Sequence, residues 1–393
     1  MKKKIAGLTA ALMLSAPFLA CASVDDLPPE RLVEEGAGAS ADAEDAGRKE
    51  AAAYGPRSGF SAGGTVFLDY SSGVRNGDDT RFSSFQVTRG YLNLKYDAAR
   101  WLRARITPDF THADAGSGAR LKYLFAEFLA PEYGALAGAS AMAGLGITPF
   151  QDFEQSINIY RVQGQMFEER SNVDHISDTG VSFFGNLGGA IAQDWQEAAG
   201  LPSRYDGRYG SYHFGVYDGG GSGAAATNGH RAIEGRLTVR PLPDVVPGLQ
   251  FTWSGIFGKA GHGDNPWTSS LGFVSLRTGH LVLTGQYLAS VGEQSGRDEF
   301  HGRGFSLFGD LRMPFYDRVS AFLRYDRWNP GVTLSGITAP APGTGFRRHT
   351  SIGGLGYRLG NEDYLIAAYE RTRYDVAGAS DDHKGQMALQ VKF

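Results

Sequence analysis

Between Phe60 and Phe393 the residues alternate with a period of two, and the polar half of that alternation carries full charges in mid-segment. In RWLRARITPDF, positions 101–111, Trp101, Arg103, Arg105, Thr107 and Asp109 form one set. Leu102, Ala104, Ile106, Pro108 and Phe110 form the other. This is the period of a β-strand, whose successive side chains leave opposite faces of the ribbon. An arginine in a dry core is prohibitive without a partner, and one facing hydrocarbon at the midplane costs about 2–4 kcal/mol. Two arrangements escape both costs: a soluble sheet with one wet face, and the wall of a water-filled membrane barrel.

The connections favour the second. Sixteen segments read as strands: 60–71, 82–97, 100–111, 119–130, 140–150, 178–187, 209–218, 230–241, 247–259, 267–276, 279–290, 302–313, 317–328, 346–359, 362–373 and 384–393. The number is even, as single-chain bacterial barrels require. Short turns such as AAR (98–100), TG (278–279) and LGNED (359–363) alternate with long polar loops such as GVRNGDDT (73–80) and GGGSGAAATNG (219–229). A sandwich has no reason to sort its loops by parity, whereas a barrel with periplasmic turns and external loops does. Two connections break the rule, 131–140 and 188–208, both long where a short turn is expected.

Individual strands sort into faces. In 317–328, Val319, Ala321, Leu323 and Tyr325 oppose Ser320, Arg324 and Asp326. In 302–313, Phe305, Leu307, Leu311 and Met313 oppose Ser306, Asp310 and Arg312. In 247–259, Leu249, Phe251, Trp253 and Phe257 oppose Gln250, Thr252 and Ser254. Rings at strand ends suit the two interfacial girdles of a membrane protein. A mean hydropathy of −0.26 agrees, because lipid-facing and lumen-facing residues cancel. The expected fold is therefore all-β, a transmembrane antiparallel barrel of about sixteen strands over 60–393.

The ends of the chain point to the same compartment. MKKKIAGLTAALMLSAPFLACAS has three lysines, an apolar run and a small-residue site, so 1–22 reads as a secretory signal peptide cut after Ala22. That cut removes the only cysteine, Cys21, for which lipidation is the rival fate, and leaves no disulfide framework. It also removes three lysines and no acid, taking the net charge from −4 to −7. Residues 23–59 hold nine acids and four bases and read as a disordered or partly helical periplasmic segment. The remaining body is nearly balanced, so no bulk field argues for nucleic acid. The chain ends MALQVKF, with Met387, Leu389, Val391 and Phe393 on one face. It is similar to the C-terminal signal read by the outer-membrane barrel assembly machinery, which makes that machinery and outer-membrane lipid expected partners.

The longest inter-strand connection, QDFEQSINIYRVQGQMFEERSNVDHIS (151–177), is the third external loop, the usual place for a segment that folds into the lumen. GITPF (146–150), FEERS (167–171), DTGVSFFG (178–185) and YHFGVYDG (212–219), with VTRGYLNLKYD and RWLRARITPDF before them, resemble the phosphate-selective porins, the porin O and P family. The resemblance covers roughly 60–393 and implies sixteen-stranded homotrimers that pass anions down an arginine ladder. By motif match, Arg89, Arg103 and Arg105 look like ladder residues and Arg170 takes the loop arginine position, flanked by Glu168 and Glu169. Asp109, Arg236, Arg312 and Arg324 are the further pore-lining candidates; Arg236 and Arg324 have acids in their own strands and could equally be wall-stiffening pairs. The chain departs from the family in keeping six lysines after the signal, Lys49, Lys95, Lys122, Lys259, Lys384 and Lys392, where that family clusters them. A constriction of mixed charges orients polar solutes rather than selecting one ion strongly.

The function expected is diffusion of small hydrophilic solutes, anionic ones included, with no covalent step, metal or cofactor. A nutrient- or sugar-specific channel is the alternative, and a barrel hydrolase a weaker one. No H-E-x-x-H, P-loop or G-x-S-x-G occurs. A hydrolase needs a nucleophile beside a histidine; His213 is expected at the wall, and spacing names no serine for it.

Overall fold

The structure, a computed structural model, describes residues 59–75, 79–113, 116–130, 138–200, 203–221, 226–261, 265–292, 301–331, 347–360 and 362–393. The expected signal peptide and the acidic segment up to residue 58 lie outside the described residues.

The first eight strands are β1 (Gly59–Arg75), β2 (Thr80–Ala99), β3 (Leu102–Ala113), β4 (Gly116–Leu129), β5 (Ser140–Ile147), β6 (Ser177–Leu187), β7 (Gly210–Tyr217) and β8 (Ala232–Val239). The second eight are β9 (Leu249–Lys259), β10 (Pro266–Arg277), β11 (Leu281–Val291), β12 (His301–Arg312), β13 (Val319–Asn329), β14 (Arg348–Arg358), β15 (Tyr364–Tyr374) and β16 (Asp382–Lys392). Each pairs antiparallel with its sequence neighbours, and β1 pairs with β16, so the sheet closes. Closure leaves no strand edge to satisfy, the condition for placing a sheet in hydrocarbon. Phe393 exchanges backbone hydrogen bonds with Gly64 at this seam, and a Cβ on Gly64 would stand inside the Phe393 ring.

The sixteen expected segments coincide with these strands to within a few residues. The β1–β2 hairpin differs most: it runs past its last apolar pair to Arg75↔Thr80. Apart from Val74 the outer residues of β1 are polar or glycine, so little hydrophobic contrast marks them as strand.

The burial pattern is inside out relative to a soluble sheet. On β9, Phe251, Trp253 and Phe257 are exposed while Gln250, Thr252 and Ser254 are buried. On β13, Leu323 is 71% exposed and Ser320, Arg324 and Asp326 are buried. Each such side chain forfeits about 1.5–3 kcal/mol if water covers it; hydrocarbon removes that cost. Among the described residues no helix is long and apolar enough to cross a membrane. Outward rings gather at both ends of the wall: Tyr96, Trp101, Phe128 and Tyr316 at the short-turn end, and Phe85, Phe257, Tyr287 and Tyr369 at the other. They form two girdles around an aliphatic band.

Candidate pore constriction

The loop from 148 to 176, joining β5 to β6, lies inside the barrel. It contains helix α1 (Gln151–Ile157), a 3-10 turn (Arg161–Gln163) and helix α2 (Phe167–Arg170). Phe150, Phe153 and Ile157 fall on one face at helical spacing and are buried. The rings dock on inward aromatics of the wall. Phe150 and Phe153 meet Phe273 edge-on at 5.5 and 6.0 Å, Tyr160 stacks on Phe322 at 4.5 Å, and Phe167 meets Trp328 at 5.8 Å.

A loop without a ladder partner must find donors for its carbonyls. Here the wall supplies them. Arg236 of β8 donates to Pro149 O at 2.8 Å, Arg277 of β10 to Ser156 O at 2.7 Å, and Arg324 of β13 to Gln165 O at 2.8 Å. Arg348 of β14 donates to Arg170 O at 2.5 Å, and the Trp267 indole of β10 to Val173 O at 2.8 Å. Arg170 itself forms an ion pair with Glu370 of β15 at 2.6 Å, and Thr148 Oγ1 closes the base of the loop on His175 O at 2.6 Å. The loop is thus fastened along β8 to β15.

The opposing wall, β2 to β4, carries cations. Arg89 Nη1 lies 3.4 Å and Arg120 Nε 2.9 Å from Asp109 Oδ2, which is fully buried between them. Arg105 Nη2 donates to Asn93 Oδ1 at 2.7 Å, and its guanidinium sits 4.8 Å above the Tyr123 ring. Arg103 is held by Asp97 at 2.7 Å and lies 3.7 Å from Glu127. Lys122 joins this group through a bulge. Thr107 pairs with Tyr123 and Pro108 with Leu121, so Lys122 has no cross-strand partner. It turns inward beside Tyr123, its ammonium 3.8 Å from the centre of the Tyr91 ring. The loop edge facing this wall bears Asp152 and the Arg161–Glu169 pair, joined through both carboxylate oxygens at 2.8 Å.

These positions sort the sequence candidates. Arg89, Arg103, Arg105 and Asp109 share the β2–β4 wall. Arg236 and Arg324 are buried beneath the loop as carbonyl donors. Arg324 also pairs with Asp326 of its own strand at 2.7 Å, but Arg236 does not pair with Glu234, whose carboxylate oxygens have no hydrogen-bond partner. Arg312 is near the short-turn end, donating to Gly279 O at 3.0 Å. Arg170 is a fastening residue on the loop's wall side.

Glu168 departs from the pore-lining expectation: it is 2% exposed and bonds Gln151 at 3.2 Å behind the loop. Burial, then the neighbouring Asp174 and Glu154, push its carboxyl well above the usual range. Burial pushes Glu154 up to about 7 and Asp174 up to about 8.

Sequence reasoning passed over Lys122, Arg120, Asp152, Arg161 and Arg204. Lys122 had a signal, since strict alternation on β4 would have sent a lysine into hydrocarbon. His213 does have a serine partner, Ser182 Oγ at 3.1 Å on the adjacent strand. Both are buried, and Tyr217 is the third group at 3.4 Å from the same nitrogen, so the pair fills the wall rather than presenting a nucleophile.

No family model and no curated protein matches the chain. Solved structures do. The anion-selective porin from Comamonas acidovorans is similar at 12% identity, covering 86% of this chain and all of that one, with a TM-score of 0.58. Salmonella typhi OmpF, in complex with daunomycin, is similar at 9% identity over 85% of this chain and 97% of its own, TM-score 0.55. The outer-membrane channel DcaP of Acinetobacter baumannii is similar at 11% identity over 86% and 97%, TM-score 0.53. The shared feature is the fold, the sixteen-stranded barrel of outer-membrane porins.

Proposed function

We propose that this barrel is a porin of the bacterial outer membrane, through which small hydrophilic solutes diffuse with a preference for anions. The observation that carries the reading is the imbalance across the gap. Arg89, Lys95, Arg103, Arg105, Arg120, Lys122 and Arg161 meet Asp97, Asp109, Glu127, Asp152 and Glu169, seven cations against five carboxylates. A charged ring of this kind filters ions by the field it sets up in a narrow aqueous passage. Carboxylated and phosphorylated small molecules are the solute class that such a wall favours. Lysines are few on this wall, Lys122 and Lys95, the cross-strand neighbour of Arg105, which argues for broad anion preference over a dedicated phosphate filter. Homotrimeric assembly and recognition of the Phe393 end by the assembly machinery belong to the same reading.

Reversal potentials in a KCl gradient across planar bilayers test it. Wild type should be chloride-preferring, and Arg105→Ala with Lys122→Ala should lower the chloride-to-potassium permeability ratio by at least about twofold. The preference should fade near 1 M salt, where the Debye length is about 3 Å. Potassium preference in the wild-type pore would end the reading.

A further inference from the structure

The connection from β6 to β7, described over 188–200 and 203–209, sits at the end of the barrel where turns are short, and its described parts turn inward. Gly188 and Gly189 take left-handed backbone (φ 80° and 75°) at the exit from β6. A short antiparallel stem follows, with Ile191 N donating to Asp206 O at 2.7 Å and Arg208 N to Gly189 O at 2.8 Å. Helix α3 (Gln193–Ala199) ends on a left-handed Gly200 that lies against the Arg277 guanidinium of β10. The segment therefore reaches from the β6–β7 seam across the floor of the lumen.

Its return arm meets the constriction loop from below. The Tyr205 ring packs edge-on against Phe153 at 5.2 Å and Phe184 at 5.7 Å, and its hydroxyl donates to Asp152 Oδ2 at 2.6 Å. Arg204 lies over Phe184 at 4.8 Å, with Nε 4.0 Å from Asp152 Oδ2. Unlike Arg236 and Arg324, which are 2% and 7% exposed, it keeps 31% of its side chain exposed, while its buried Nε is turned to Asp152 and its Nη2 to Met142 Sδ at 4.0 Å. A guanidinium on a floor that stays partly exposed and is held by no short ion pair is equipped to bind an acceptor oxygen.

We infer that this connection is a second filter on the short-turn side, in which Arg204, positioned by Tyr205, binds the carboxylate or phosphate group of a solute leaving the constriction. The inference rests on the porin reading and deepens it: an anion is handed from the β2–β4 cations to Arg204 before release. Asp152 is the shared hinge of the two filters, holding Tyr205 from the loop above.

The test uses the full-length pore in planar bilayers with citrate added to one side at a time. In wild type, citrate on the short-turn side should block the current. Arg204→Gln should weaken that block about tenfold, the equivalent of one charge-assisted hydrogen bond, while citrate on the long-loop side blocks as before. Arg204→Lys should restore most of the lost block, a rescue that a merely structural role would not give. Tyr205→Phe, which keeps the ring and loses the bond to Asp152, should weaken the same-side block even if Arg204→Gln fails to assemble. An unchanged block in these variants overturns the inference alone, provided that Arg105→Ala with Lys122→Ala still shifts selectivity. A wild-type pore indifferent to anions on both sides would instead remove the reading beneath it.

Discussion

Single side chains in this barrel are read best by which solvent they face. Glu154 illustrates it. Its carboxyl is buried behind the constriction loop, accepting from Gln286 at 2.5 Å, and burial raises its pKa to about 7 while Arg324 and that hydrogen bond pull the other way. An undocked loop returns it to the ordinary carboxylate value. A group whose docked pKa is raised supports docking fully below its free value and loses that support as the pH climbs to the docked one. Asp174, raised to about 8, acts in the same direction. Loop fluctuations, measured as open-channel current noise, should therefore grow between about pH 5 and about pH 8. Glu154→Gln should flatten the lower part of that rise; noise that falls over the same range would contradict the assignment. The same rule explains why Glu168 misled sequence reading: residue type and a neighbouring arginine suggest a pore charge, and only packing shows that the carboxyl faces the wall.

Elements divide into those set by local contrast and those set by what they touch. The sixteen strands were legible because lipid outside and polar lumen inside impose opposite demands on alternate residues, as on β9 and β13. The constriction loop was legible as a long third connection. Its fastening was not, because Arg236, Arg277, Arg324 and Arg348 each act on a carbonyl far along the chain. The β4 bulge at Lys122 and the inward fold of 188–209 depend likewise on distant partners. Arg170 and Glu370 form the loop's charged clamp to the wall. Glu370→Gln leaves Arg170 without a charge partner on that strand, and breaking such a pair costs on the order of 3 kcal/mol. Limited trypsin digestion should then cut the variant between 148 and 176, where wild type resists. Equal resistance of the two proteins would show that the neutral contacts hold the loop unaided.

For the whole molecule, the consequence lies in where the loop is attached. From β8 to β15 the wall is bonded to a docked layer of helix and rings, whereas β2 to β4, which hold Arg89, Arg105 and Lys122, are lined by their own side chains, with Asp109 and Tyr123 buried among them. The cylinder is double-hulled on one half of its circumference and single-skinned on the other. Matching the apolar band to a bilayer of different thickness strains the protein by fractions of a kcal/mol per Å, and the thinner hull yields first. Bilayer thickness should thus tune the passage through the strands that bear its cations. Chloride preference should drift between short- and long-chain lipids in wild type, and constant preference across them would show that both halves are equally stiff.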